Sequence, residues 1–146
     1  MSKYNFKTIV VKGDGIRKEG KLHADSNDIL PGCFIRRVGD NFDEIKDAAT
    51  NSPANAIAIE AETFGTGIDT AYDTDGERVL YHVLHSGCEA FCLLRVGQNV
   101  AVGAALEVHT NGYLTATGSG PTVALAMEAV NNSAGSGPAR ILVEIL

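Results

Sequence analysis

The densest collection of chemically capable side chains is His82, His85, Cys88 and Cys92, spaced His-x2-His-x2-Cys-x3-Cys. Two imidazoles and two thiolates suit zinc, which holds its donors at ~2.0–2.3 Å and needs all four within about 4 Å of one another. On a strand the spacing works against this. Residues three apart face opposite sides, and Cys88 and Cys92 would stand roughly 13 Å apart. Gly87 and the alternation of Val79, Tyr81 and Val83 argue against the helix that would gather them. A turn at Ser86-Gly87 could still fold His85 toward Cys88. The expectation is buried thiols and surface or half-buried imidazoles, with no metal and no cofactor. A catalytic thiol–imidazole pair from the same residues lacks any neighbour that would strongly depress a thiol pKa.

Other constellations are weaker. Gly118-Ser119-Gly120-Pro121 lacks a phosphate-binding lysine, and Pro121 removes a backbone N–H from any anion nest. Gly13-Asp14-Gly15 places a carboxylate where a phosphate would sit, so both read as turns. No serine stands in a Gly-x-Ser-x-Gly elbow. The acidic stretch Gly67–Glu77, with Asp69, Tyr72, Asp73 and Asp75, loosely resembles a signature of trimeric dUTP pyrophosphatases. Two extra residues separate Tyr72 from Gly76-Glu77, and the companion motifs are missing. Calcium could use the same carboxylates, but no Asp-x-Asp-x-Asp-Gly loop is formed; a solvated acidic loop is expected. The Gly97–Leu106 rhythm resembles biotinyl and lipoyl carrier domains, but this region has no lysine for attachment.

The elements that must position these residues are short strands throughout. The chain has 146 residues, 45% apolar and 21% charged, which is a globular composition with room for a core. No apolar run reaches the ~18 residues of a membrane span, and the N-terminus lacks the apolar centre of a signal peptide. Three unevenly spaced cysteines suggest reduced thiols in a cytosolic product. Strands are expected in Thr8–Val11, Cys33–Val38, Phe42–Ile45, Ala56–Ala61, Val79–Leu84, Phe91–Val96, Ala105–Val108, Tyr113–Ala116, Val123–Val130 and Ile141–Leu146. Residues 16–29 and 46–55 read as irregular. Asn111-Gly112 between apolar runs signals a hairpin, since both residues tolerate positive φ.

The net charge of −6 is unevenly spread. Residues 1–21 carry six Lys or Arg against Asp14 and Glu19, whereas residues 47–146 carry three Arg against eleven acids. Such a body repels nucleic acid.

One internal similarity bears on the architecture. Ala56-Ile57-Ala58-Ile59-Glu60-Ala61 matches Ala124-Leu125-Ala126-Met127-Glu128-Ala129 at an offset of 68 residues. Upstream, Gly32–Val38 has the layout of Gly103–Val108 at an offset of 71. This predicts two copies of one small β unit packed face to face. The fold class expected is mainly β: a small barrel or sandwich-like domain, from two similar units, over residues 29–146, with an extended N-terminal arm over residues 1–28.

An ordered set of features resembles tailed-bacteriophage capsid decoration proteins, also called head-stabilising or structural cement proteins. The set comprises Ile29–Ile35, Ala56-Ile57-Ala58, the Tyr72-Asp73 loop, Val79–Val83, Ser86-Gly87, Val96-Gly97-Gln98, Gly103, Leu106, Asn111–Leu114 and Ala124–Ala129. Members often have Pro-Gly where this chain has Ser86-Gly87. The resemblance implies a non-enzymatic protein made in the host cytoplasm and carried on the outer capsid surface of the virion. Its partners would be the major capsid protein and copies of itself in a homotrimer, with no direct nucleic acid and no membrane. The basic N-terminal arm would supply capsid or subunit contacts through Lys3, Tyr4, Phe6, Lys7, Thr8, Ile9, Val10, Val11 and Lys12, by strand addition along Thr8–Val11. A nucleotide hydrolase and a glycan- or receptor-binding module are the alternatives. With no Trp, the second has poor stacking platforms.

Overall fold

The computed structural model describes residues 8–61, 64–116, 118 and 120–146. Almost all regular structure is strand. After β1 (Val10–Lys12), five strands close a first barrel: β2 (Gly15–Leu22), β3 (Phe34–Val38), β4 (Glu44–Asp47), β5 (Ala56–Ala58) and β6 (Arg78–Leu84). Their order around it is β2-β4-β3-β5-β6, with β6 returning to β2. A second ring follows from β7 (Glu89–Leu94), β9 (Ala105–Val108), β10 (Leu114–Ala116), β11 (Ala124–Ala126) and β13 (Ala139–Ile145). Its order is β7-β10-β9-β11-β13, closed by β13 against β7. Within the second ring's stretch of chain, β8 (Asn99–Val100), after β7, and β12 (Val130–Asn131), after β11, form a separate two-stranded pair.

The two barrels are the same unit down to register. In each, the first strand runs parallel to the third and every other contact is antiparallel. Ile35 faces Ala56 as Leu106 faces Ala124, and Phe34 faces Ile57 as Ala105 faces Leu125. These pairs carry the offsets of 71 and 68 residues seen in the sequence. The turns repeat as well. Gly32 N–H donates to Ala58 C=O at 2.8 Å, and Gly103 N–H to Ala126 C=O at 2.7 Å. Ile59 N–H donates to Leu80 C=O, and Met127 N–H to Leu142 C=O, both at 2.9 Å. A shared hydrogen-bond register across two halves is the physical signature of a duplicated unit, because register is fixed by side-chain facing and turn geometry together.

The core is continuous through both barrels. Phe34, Ile35, Ile45 and Ile57 from the first join Leu94, Leu106, Leu114 and Ile141 from the second in one cluster, all at most 1% exposed. Each such side chain contributes roughly 1.5–3 kcal/mol on burial, so the halves stabilise each other rather than standing as separate domains.

Four expectations change. The described part of the presumed arm, residues 8–28, is built into the body: β1 pairs with β7, and β2 pairs with β6 over seven positions. β2 reads as irregular because Arg17, Lys18, Glu19 and Lys21 are all exposed; its strand character comes from pairing with β6, far along the chain. Within residues 46–55, Lys46 and Asp47 complete β4. The Val123–Val130 strand stops at Ala126, turns, and resumes as β12. Asn111-Gly112 does join antiparallel strands, through one turn of 3-10 helix over Thr110–Gly112 with Asn111 at φ +63°. A side chain at Gly112 would land on the Phe34 carbonyl oxygen, so glycine is required there by space as well as by its φ of +72°.

Candidate contact surface

Of the residues expected to make contacts, Lys3, Tyr4, Phe6 and Lys7 lie outside the described residues. Thr8 is exposed, and its hydroxyl donates to Glu60 Oε1 at 2.7 Å. Ile9 is fully buried, so its side chain is core rather than contact surface. Its N–H donates to Glu60 Oε2 at 3.0 Å, and its carbonyl accepts from Phe91 N–H at 2.7 Å. Val10 and Val11 are half-buried beside β7, and Lys12 is exposed opposite Glu89.

Glu60 and Glu128 hold equivalent places in the two Ala-rich runs, and both are buried. Glu128 Oε2 accepts the Leu142 N–H at 2.8 Å. At the matching position of the first barrel, Leu80 N–H instead reaches the Tyr72 hydroxyl at 3.4 Å. Glu60 has been redirected to hold the N-terminal strand. A carboxylate accepting backbone N–H groups in a dry site is a strong hydrogen bond, and here it fastens β1 to the first barrel.

Arg140 on β13 ties the barrels together. Its Nη1 donates to the Pro31 carbonyl and, at 3.4 Å, to the Phe91 carbonyl; its Nη2 donates to the Ile68 carbonyl. Asp69 lies 3.5 Å from Nη2 but is 89% exposed. The guanidinium also sits 5.9 Å from the Phe91 ring centroid. Burial lowers the Arg140 pKa, and Asp69 opposes that shift.

The His82, His85, Cys88 and Cys92 set does not converge. Cys88 Sγ donates to the Asp14 carbonyl at 3.2 Å, His85 is exposed, and Cys92 is fully buried. Among the described residues, no three His, Cys, Asp or Glu side chains form a group able to hold a metal ion. Burial pushes the Cys33 thiol up to about 12 and the Cys92 thiol higher still. Such thiols stay protonated and are poor nucleophiles. His82 has a buried Nδ1 with no hydrogen-bond partner among the described residues, and burial, then the Arg17 charge, lowers its pKa.

In the acidic loop, the Tyr72 hydroxyl donates to the Ile59 carbonyl at 2.6 Å, and burial pushes its pKa up to about 12. Glu77 Oε1 accepts the N–H groups of Asp73 and Thr74 at 2.6 and 2.9 Å. These side chains hold the loop's shape.

The surface carries exposed apolar side chains: Phe42 is 66% exposed, Phe64 57% and Val102 68%. Phe64 shares a shallow depression with Arg17, Lys18, Glu19 and Arg78, and Phe42 one with Arg36 and Arg37. Sequence reasoning missed both phenylalanines: Phe64 lies outside every expected strand, and Phe42 opens the expected strand Phe42–Ile45, whereas β4 begins only at Glu44 and leaves Phe42 in the turn before it. The turn residues around Phe42, Gly39-Asp40-Asn41, were the available signal that its side chain would project.

No protein-family model matches this chain, and no curated protein does. Among solved structures, it shares its fold with the N base of head fiber gp8.5 of bacteriophage phi29, with a TM-score of 0.61 and 14% identity over 90% of this chain and 93% of that one.

Proposed function

We propose that this chain is a structural protein of a tailed-phage head: a decoration, or cement, protein that binds the outside of the assembled shell and bridges major capsid subunits. The observation that carries this reading is the fold shared with a phage head fiber base over nine-tenths of both chains. The ordered sequence resemblance to decoration proteins, found independently, supports it. Two barrels with one common core make a body suited to transmitting load. A protein that binds only the assembled shell stabilises it by mass action. Contacts are assigned to Lys3, Tyr4, Phe6 and Lys7 with the exposed Lys12, and self-association to a homotrimer.

The test is co-sedimentation of the purified protein with heads assembled from the major capsid protein of the same genome. Saturable occupancy and a higher head-disruption temperature are expected, together with loss of occupancy at moderate salt when residues 1–7 are removed. A protein that stays in the supernatant, or that hydrolyses dUTP with magnesium, would overturn the reading. Unchanged occupancy of the truncated chain would refute the role of the N-terminal residues alone.

A further inference from the structure

The first barrel carries an open strand flank that its twin has filled. In β4, the Ile45 carbonyl accepts from His23 N–H at 3.0 Å, so Ile45 turns its backbone toward β2. Arg37 lies opposite Ile45. That makes them a non-hydrogen-bonded pair, and the Arg37 N–H and C=O point to the other flank of β3. There β5 begins only at Ala56, opposite Ile35. The residue before it, Asn55, gives its carbonyl to Leu84 N–H at 3.0 Å, so β6 still holds the chain at that point. Among the described residues, none of 52–55 bonds to Arg37. A groove of about 440 Å³ opens between them, lined by Ile35, Arg36, Arg37, Phe42 and the 52–56 segment.

The second barrel shows what such a flank takes. Val108 is the counterpart of Arg37, and its partner Leu114 likewise turns its carbonyl away, to Arg95 N–H at 3.0 Å. The Val108 carbonyl accepts the backbone N–H of Asn51, from the first barrel, at 3.0 Å. The counterpart flank is thus occupied by main chain.

We propose that the groove beside β3 binds an extended acidic segment of a partner protein, which adds main-chain hydrogen bonds to Arg37 and sets its carboxylates on the face of the sheet that carries Arg36. The charges favour this sign. Arg36 stands directly across from Lys46, a like-charge pair that an anion would relieve. Among the described residues, neither arginine nor Lys46 forms an ion pair. Among the described residues, no acid lines the groove; Asp40 and Asp43, nearest along the chain, sit exposed on the β3–β4 turn. Phe42 is held at φ +53°, uncommon for a bulky residue, and its ring offers an apolar anchor at the mouth. The chain's own N-terminal residues carry Lys3 and Lys7, the wrong sign. The 117–121 loop of a second copy has no acid, and its Gly120 already packs on Asn51. The inference goes beyond the head role and does not depend on it.

The test uses the full-length protein and labelled hexapeptides: alternating valine and glutamate, alternating valine and lysine, and the glutamate peptide with alternate backbone nitrogens methylated. Fluorescence anisotropy and amide exchange are read together. The glutamate peptide is expected to bind and to slow exchange of the Arg37 amide; the other two are expected to bind at least about tenfold more weakly. Arg36→Gln with Arg37→Gln should weaken the glutamate peptide by a similar factor with an unchanged thermal midpoint. Equal binding of glutamate and lysine peptides, indifference to methylation, or no saturation by about 1 mM would overturn the proposal. So would self-association of the free protein that Arg36→Gln with Arg37→Gln abolishes, since that would assign the groove to a second copy.

Discussion

Replacing Arg140 tests how the two barrels are joined. Its guanidinium donates to the carbonyls of Pro31 and Ile68, with a longer bond to Phe91, and its side chain is only 14% exposed. Hydrogen bonds to a charged group contribute about 1.5–3 kcal/mol each, so the two good ones amount to roughly 3–6 kcal/mol. The Asp69 pair counts for almost nothing, because that carboxylate is in water. Partial solvent access to the freed carbonyls offsets some of the loss. Arg140→Ala is therefore expected to cost about 3 kcal/mol, or roughly 6–12 °C in thermal midpoint for a domain of this size. Urea denaturation with an unchanged m-value measures it. Arg140→Met keeps most of the stem and removes the donors, so it separates bonding from packing. It should lose nearly as much as alanine, and cleavage at Asp69 by an aspartate-specific protease should rise in both variants. A loss under about 1 kcal/mol, or a methionine variant as stable as the parent, would refute the reasoning.

Further outcomes follow from the same physics. Glu128→Ala should destabilise by about 2 kcal/mol by leaving the buried Leu142 N–H without its carboxylate partner, measured by urea midpoint. Gly112→Ala should exceed that, since the Phe34 backbone itself must move; a stable variant would deny the close approach. Cys33 and Cys92 should resist alkylation at about pH 8 until the chain unfolds, because their raised pKa values leave no thiolate; mass spectrometry after pulse labelling reads this. His82 has a folded pKa below its unfolded value of 6.5, so its neutral form is favoured in the fold. Its contribution is present above the unfolded pKa and lost as pH falls through the folded one, and His82→Gln should flatten the drop in urea midpoint between about pH 7 and pH 5.

The duplication was legible because the Ala-rich run repeats where the backbone needs it: small residues at Ala56, Ala58, Ala124 and Ala126 sit in the crowded barrel interior. The strands of alternating apolar residues, such as β6 and β13, were legible for the same reason. β2 was not, because the residues between Ile16 and Leu22 are all charged or glycine and its strand character comes from pairing with β6. A metal site at the His and Cys set had only spacing in its favour, and the structure leaves His85 exposed while Cys92 is in the core. The open flank of β3 was invisible to pattern, since it depends on where β5 ends rather than on any residue type.

Asn51 bonded to Val108 has a consequence for valency. A lone unit carrying both a donor loop and a receptive flank could add to identical copies head to tail, which is the route to fibres. Fusing two units satisfies one such couple inside the chain, so the Asn51 N–H and the Val108 carbonyl are withdrawn from any contact between copies. The fusion thereby halves the number of self-complementary ends that each pair of units presents.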